Sequence, residues 1–289
     1  MVAMDSHTSL LLRDLPQFDW LMPLAPWEDP DVLSDTLRSL SEQTLQARAL
    51  VVSVDGQISR GLKEALRASG LPIELHEAPQ WQGTGLVLAR GLLACQSDIV
   101  LRVDADDQSV AQRSEWQVTE MHQYQELAAY GGQLKEVSPS SLDQHLFSVR
   151  TVPLSTTEIR NTSYWRNPLN HPTVALRRSL VLAAGNYRSC LYFEDWDLWL
   201  RMLSQNLEIR NDYRVLVEAR VGPKHLSRRH GVSYLKAEFL FLLRSANEKL
   251  IPWFCVISQF LVRLPLRILP KAGLKFLMLN LMRSSSQHA

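Results

Sequence analysis

Residues 97–110 read SDIVLRVDADDQSV. The apolar run Ile99-Val100-Leu101, continued by Val103, has the pattern of a short buried strand. It runs straight into Asp104, Asp106 and Asp107. Three carboxylates so close repel one another, and each resists ionising unless a positive charge stands among them. The cluster is therefore either a well-solvated turn or a site that holds a cation.

The flanking sequence favours an ordered strand end. FDWLMPL (18–24), LVVSV (50–54) and IELHE (73–77) read as further short strands. Between the first two, Asp29 or Asp31 can cap a helix that carries Leu33, Leu37 and Leu40 at helical spacing. GLVLARGLLAC (85–95) reads as the helix before IVLRV. Strands alternating with helices predict a doubly wound α/β sheet. Ligands of such sheets sit beyond the carboxyl ends of the strands. Asp55 ends VVSVD as Asp104 ends IVLRVD, so the two are predicted to face one crevice. Beyond Tyr130 the pattern loosens into polar, loop-rich sequence with a short helix near 156–165. TVAL (173–176) then reads as a strand, RRSLVLAAG (177–185) as a helix closed by Gly185, and FEDWDLWLRMLSQN (193–206) as a helix. Glu194, Asp195 and Asp197 cluster at its start, where the helix dipole favours acids.

The totals fit one large core or one core with an appendage. The chain has 289 residues, 46% hydrophobic and 21% charged, an ordinary globular balance. Cys95, Cys190 and Cys255 have no paired or metal-type spacing, which fits a reducing compartment. No basic stretch precedes Leu10-Leu11-Leu12, so no secretory leader is expected. No apolar run reaches the length of a spanning helix. The net charge of +1 conceals an asymmetry. Residues 223–289 hold eleven Lys/Arg and two acids, a net +9, and the rest is left at −8. The predicted division is a body, 1–222, and a basic, apolar-rich helical extension, 223–289. Pro252, Pro265 and Pro270 are expected to break that extension into short helices. It is either a packing or oligomer element or an interfacial anchor whose cations meet anionic headgroups.

Asp104-Ala105-Asp106 can bind a hard cation through oxygen, and such ligands suit Mg²⁺ or Mn²⁺ rather than zinc. Glu194-Asp195 is either a cap or a carboxylate poised as a base. KHLSRRH (224–230) is either a solvated basic turn or a diphosphate clamp through Arg228 and Arg229.

VVSVDG (51–56), GTGLVLARGLLACQSDIVLRVDADD (83–107), RNPLNHPTVALRRS (166–179) and GNYRSCLYFEDWDLWLRML (185–203) occur in this order. Together they resemble family 2 glycosyltransferases of the GT-A fold, over roughly residues 18–230. The likeness is to the branch that builds bacterial exopolysaccharides and lipopolysaccharides, such as the amylovoran-type transferases. The resemblance implies that Asp55 binds the nucleotide base, usually uracil. It implies that Asp104 holds the ribose and metal region, that Asp106 coordinates Mn²⁺ or Mg²⁺, and that Arg102 neutralises the motif. By the same likeness Pro23 and Arg90 lie at the nucleotide pocket. Asn170, His171 and Trp196 lie near the donor sugar or acceptor, although a lone His before Pro is also an ordinary packing residue. Asp195 matches the general base of inverting enzymes, with Glu194 beside it.

The chain also departs from the family pattern. The Tyr and Asn that often follow Pro23 are absent, and Val54 replaces the acid that often precedes Asp55. The Gln-x-x-Arg-Trp signature of processive synthases is missing, so addition of a single sugar is expected. The implied partners are a UDP-hexose, a lipid-linked oligosaccharide acceptor and a membrane surface, with no nucleic acid. The implied location is cytoplasmic, on the inner face of the cytoplasmic membrane. Two other readings compete. A haloacid-dehalogenase-type phosphatase also ends a strand in Asp-x-Asp, but it wants Thr or Val where Gln108 stands. A non-catalytic nucleotide-binding or membrane scaffold would tolerate the loss of Asp195.

Overall fold

A computed structural model describes residues 15–80, 82–137, 147–220 and 231–268. They form two compact units, divided at Gly222 and Pro223. The larger is built on one sheet, with nine strands among the described residues.

Four parallel strands make its first half: β1 (Phe18–Leu24), β2 (Ala49–Asp55), β3 (Ile73–Ala78) and β4 (Ile99–Arg102), in the order β3-β2-β1-β4. β2 and β4 are buried along their whole length, which explains their unbroken apolar runs. Helices α1 (Pro30–Ser41), α2 (Arg60–Ala68) and α3 (Thr84–Ala94) make the crossovers. Asp29 caps α1, accepting from the Asp31 N–H at 2.9 Å, and Pro30 sets its first turn. Gly91 lets α3 lie close on the sheet: a Cβ there would stand 2.4 Å from Leu21 Cδ1 and 2.9 Å from Ser53 Cβ.

After β4 the chain changes direction. β5 (Gln108–Ser109) and α4 (Arg113–Gln123) lead to β6 (Leu127–Val137), β7 (Phe147–Arg150) and α5 (Thr156–Ser163). β8 (Ala175–Arg177), α6 (Arg178–Ala183), α7 (Glu194–Ser204) and β9 (Glu208–Arg220) complete the unit. β8 runs antiparallel to β4 and to β6, and β6 pairs with β9 in parallel with bulges near Leu127 and Gly131. β6 and β9 occupy sequence in which the hydrophobic pattern predicts no strands. Gly131 and Gly132 weaken the strand signal of β6. They are needed because Asn211 Oδ1 and the Leu216 side chain of β9 occupy the space their side chains would take.

The second unit has two described helices, α8 (Val232–Asn247) and α9 (Trp253–Ile268). Pro252 precedes α9, as expected of a proline at a helix start. Pro265 does not break α9, against expectation. The ring costs α9 one backbone hydrogen bond, that of its missing N–H, and the helix is described on through Ile268. Pro270 lies outside the described residues.

Gly91→Leu should lower stability by about 1–3 kcal/mol, the usual cost of overpacking a tight contact. Denaturant unfolding measures it, and an unchanged midpoint would show that α3 can move off the sheet.

Candidate functional site

β2 and β4 are parallel, so Asp55 and Asp104 do emerge at the same edge of the sheet. Val103 N–H extends the ladder by donating to Leu21 O at 3.0 Å, and Ala105 O accepts from Thr36 Oγ1 at 3.0 Å. These bonds pin the turn that carries the acids. Arg102 lies beneath it, 4% exposed, with its two terminal nitrogens on the two oxygens of Asp104 at 2.6 and 2.5 Å. Such a fork-on-carboxylate pair is strong and fixes orientation.

Asp104, Asp106 and Asp107 each offer an oxygen, all within 4.8 Å of one another. Burial, then the charges of Asp104 and Asp106, pushes the Asp107 carboxyl well above the usual range. Three all-oxygen donors, short of positive charge even beside Arg102, fit a hard divalent ion. Each Asp104 oxygen can still accept a second partner. Asp107, 4% exposed, thus joins Asp104 and Asp106 in one cluster of oxygens.

Behind the cluster lies a second cation that the sequence reading passed over. Arg113, on α4, is fully buried. It donates to Arg102 O at 2.6 Å, Ser109 Oγ at 3.0 Å and Gln117 Oε1 at 2.9 Å, and its guanidinium sits 5.1 Å from the Trp20 ring centroid. Burial first, then the neighbouring Arg102, lowers its pKa to about 9.

The second acidic group opens α7. Asp195 Oδ1 accepts from the Trp196 N–H at 2.7 Å, and Oδ2 accepts from Asn167 Nδ2 at 2.5 Å. His171 Nδ1 lies 3.9 Å from the same Oδ2. Its other nitrogen meets the Tyr187 hydroxyl at 2.9 Å. Burial, then Arg102, holds the His171 pKa well below its ordinary value, so the ring is neutral. Burial raises the Asp195 carboxyl, and the donors Trp196 N–H and Asn167 pull it back. Glu194 is pushed up to about 8, by burial and then by Asp195, with a smaller push from Asp104. The strand-end acids and the helix acids therefore share one electrostatic environment, with Arg102 acting on both.

The start of α3 closes this side. Asp55 accepts from the Gln82 and Gly83 N–H groups at 2.5 and 2.9 Å. Arg90 donates to Gln82 Oε1 and to Val54 O. At Gly85 a Cβ would stand 2.3 Å from Arg188 O and 3.1 Å from Glu194 Cβ, so this helix start abuts the segment that bears the acid pair.

Pro23 is the next-to-last residue of β1, in register with Ser53, so it lies towards the sheet edge where Asp55 and Asp104 emerge. Two other expected site residues are turned into the packed interior. Asn170 is 1% exposed and donates to Gly132 O and Arg150 O. Trp196 is 4% exposed, its indole N–H bonded to Ser163 O at 2.8 Å, so it ties α7 to α5 and offers no face to a sugar. Arg228 and Arg229 lie outside the described residues. Tyr192 is a candidate the sequence reading missed. Its backbone is in the left-handed region (φ 69°) two residues before Glu194, and the residue is 43% exposed. A bulky residue there is an outlier, and such strain gathers at functional sites.

Residues 27–184 match the family model Glycosyl transferase family 2. The match includes Asp55, Arg102, Asp104, Asp106 and His171 and stops short of Glu194 and Asp195. The chain is 35% identical over 269 residues to an uncharacterized glycosyltransferase of Haemophilus influenzae, covering 92% of this chain and 99% of that one. It is 31% identical to the amylovoran biosynthesis glycosyltransferase AmsE of Erwinia amylovora, over 90% and 97% of the two chains. It is 27% identical to the UDP-Gal:alpha-D-GlcNAc-diphosphoundecaprenol beta-1,3-galactosyltransferase of Escherichia coli, over 89% and 93%. Among solved structures, S. aureus TarS 1-349 in complex with UDP-GlcNAc superposes with a TM-score of 0.60 at 17% identity, covering 78% of this chain and 65% of that one. The likeness establishes a GT-A fold.

The acid pair gives a pH test. A carboxyl whose folded pKa lies above its unfolded value contributes stability that is complete below the unfolded pKa and lost as pH rises through the folded one. For Glu194 that window runs from 4.5 to about 8. Glu194→Gln should therefore gain stability relative to the parent as pH rises from about 4.5 to about 8, as read by denaturant unfolding without metal. A difference that does not change with pH would place the proton elsewhere.

Proposed function

Because the chain belongs to glycosyl transferase family 2 and is a glycosyltransferase, we propose that it moves a single hexose from a UDP-sugar, with inversion, onto a lipid-linked glycan in bacterial surface-polysaccharide synthesis. The observation that carries this reading is the fixed carboxylate of Asp195. It sits beside Glu194 and in the field of the same Arg102 that holds the strand-end acids. Two relatives support the substrate classes by name: one works in amylovoran biosynthesis and the other on a diphosphoundecaprenol-linked sugar. A structural neighbour binds UDP-GlcNAc.

In this reading Asp104 and Asp106, with Asp107, hold Mn²⁺ or Mg²⁺. The bound ion supplies Lewis-acid neutralisation of the departing diphosphate. Arg102 keeps Asp104 oriented and offsets part of the cluster's charge before the ion arrives. Asp55 and Arg90 order the 82–83 segment along which the nucleotide lies. An acceptor hydroxyl is a poor nucleophile at neutral pH, so a carboxylate must take its proton as it attacks. Asp195 is read in that role, which is supported by two donors that fix its plane and favour its ionised form. Burial raises both carboxyls, and Glu194, which Asp195 pushes further up to about 8, is read as the member that holds the pair's proton. Neutral His171 packs against Asp195 without cancelling its charge. A single displacement inverts the anomeric centre and needs no covalent intermediate. The +9 segment, 223–289, is read as the part that keeps the protein at the inner face of the cytoplasmic membrane, near a lipid-linked acceptor.

Asp195→Asn should fold and bind UDP-sugar normally while turnover falls by about 10²- to 10⁴-fold, the usual worth of a positioned base. Near-normal turnover would move the base to another group. Asp106→Ala should abolish Mn²⁺-dependent binding of the UDP-sugar, measured by calorimetry. Full activity in excess chelator would sink the metal role. The product of an α-linked donor should show a β coupling constant by proton NMR.

A further inference from the structure

The second unit contains a helix with inverted polarity. On α9, Trp253, Phe254, Ile257, Leu261 and Val262 are between 51% and 66% exposed. Cys255, Val256 and Gln259 of the same helix are buried. Residues 253, 257 and 261, and 254 and 262, recur at multiples of four, so the exposed residues form one apolar stripe. The helix that bears the stripe is firmly built. The Phe239 and Phe260 rings lie 5.1 Å apart, and Arg263 donates to Glu238 at 2.5 Å, joining α8 to α9.

Charge selects the occupant. α9 contains no acid, and the two acids of 223–289, Glu238 and Glu248, are paired with Arg263 and Arg244. Two copies meeting through this unit would bring +9 against +9. An anionic surface would instead neutralise the charge while it received the stripe. Sixteen residues span about 24 Å, less than the hydrocarbon core requires. No helix among the described residues is long and apolar enough to cross a membrane. A helix that is apolar outward, flanked by cations and too short to span has the features of one lying in the bilayer interface. Trp253 at its first position suits the headgroup boundary.

We propose that the outward face of α9, with Trp253, Phe254, Ile257 and Leu261 as the inserting residues, docks into the headgroup boundary of an anionic lipid bilayer. This deepens the membrane association proposed above by making the contact apolar as well as electrostatic. Part of the binding then survives high salt, where attraction to headgroups is screened.

The test floats the full chain with vesicles of phosphatidylcholine, with and without phosphatidylglycerol, at about 0.1 M and about 1 M salt. Expected are stronger binding to the anionic vesicles, residual binding at high salt, and a blue shift of emission that is lost in Trp253→Phe. The double variant Ile257→Asn, Leu261→Asn should bind at least about tenfold more weakly at both salts, since each substitution removes exposed apolar surface. Its melting temperature and UDP-sugar hydrolysis should be unchanged, because both side chains point away from the core. Equal vesicle binding by parent and variant would overturn the proposal in favour of a purely basic contact. A dimer of the parent that the variant converts to monomer would overturn it in favour of self-association. Absence of hydrolysis in both proteins would count against the transferase reading and leave the vesicle result intact.

Discussion

The pair between Arg102 and Asp104 is the constraint on which the rest depends. A strand end carrying three carboxylates is unstable on its own terms, because each added charge makes the next harder to keep. Arg102 answers this from below, nearly excluded from water, with a two-pronged bond to Asp104. Arg113 adds a second buried cation one layer deeper and holds the Arg102 carbonyl. Breaking one partner of such a buried pair leaves a naked charge and costs about 3–5 kcal/mol. The shape of the turn therefore depends on both partners being present.

The same guanidinium reaches the other half of the site. It helps to keep His171 neutral, and it opposes protonation of Glu194 and Asp195. Two neighbouring carboxylates in one environment would share a proton ambiguously. Here the environments differ. Desolvation is the largest influence on both, but Asp195 is opposed by the Asn167 amide and the Trp196 N–H, whereas Glu194 is pushed further up by the Asp195 charge. Pairs whose surroundings push their pKa values apart are how acid and base roles are separated.

Much of this was legible in the sequence, for a physical reason. β1, β2 and β4 are buried on both faces, and burial of that kind writes an unbroken apolar run. Asp104, Asp106, Glu194 and Asp195 stand at strand and helix ends, which periodicity marks. β6 and β9 were not legible. Their close approach needs Gly131 and Gly132 on one strand and brings Asn211 and Asp212 into the other, so the strand signal is diluted by the residues the pairing requires. Asn167, Tyr187 and Arg113 were missed because their importance lies in what they meet in space. Asn167 is 28 positions from Asp195, and nothing local to it announces the contact. Trp196 shows the opposite error: proximity in sequence to two site acids placed it at the ligand, but its helical direction turns it into the core.

That error points to what organises the first turn of α7. Glu194, Asp195 and Asp197 read alike in sequence, three acids at a helix start favoured by the dipole. Successive positions on a helix face different ways, and direction gives each acid a different fate. Glu194 turns toward the start of α3, where Gly85 leaves it room. Asp195 turns toward Asn167 and His171. Asp197 turns inward, 1% exposed, where Arg188 and Arg201 both bond it. Arg201 in turn holds the carbonyls of Ala184 and Asn186. This bracket fixes the 184–188 segment, which carries Tyr187 to His171 and the Arg188 carbonyl to Gly85. Asp197, the most deeply bonded of the three, thus helps to set the positions of the other two.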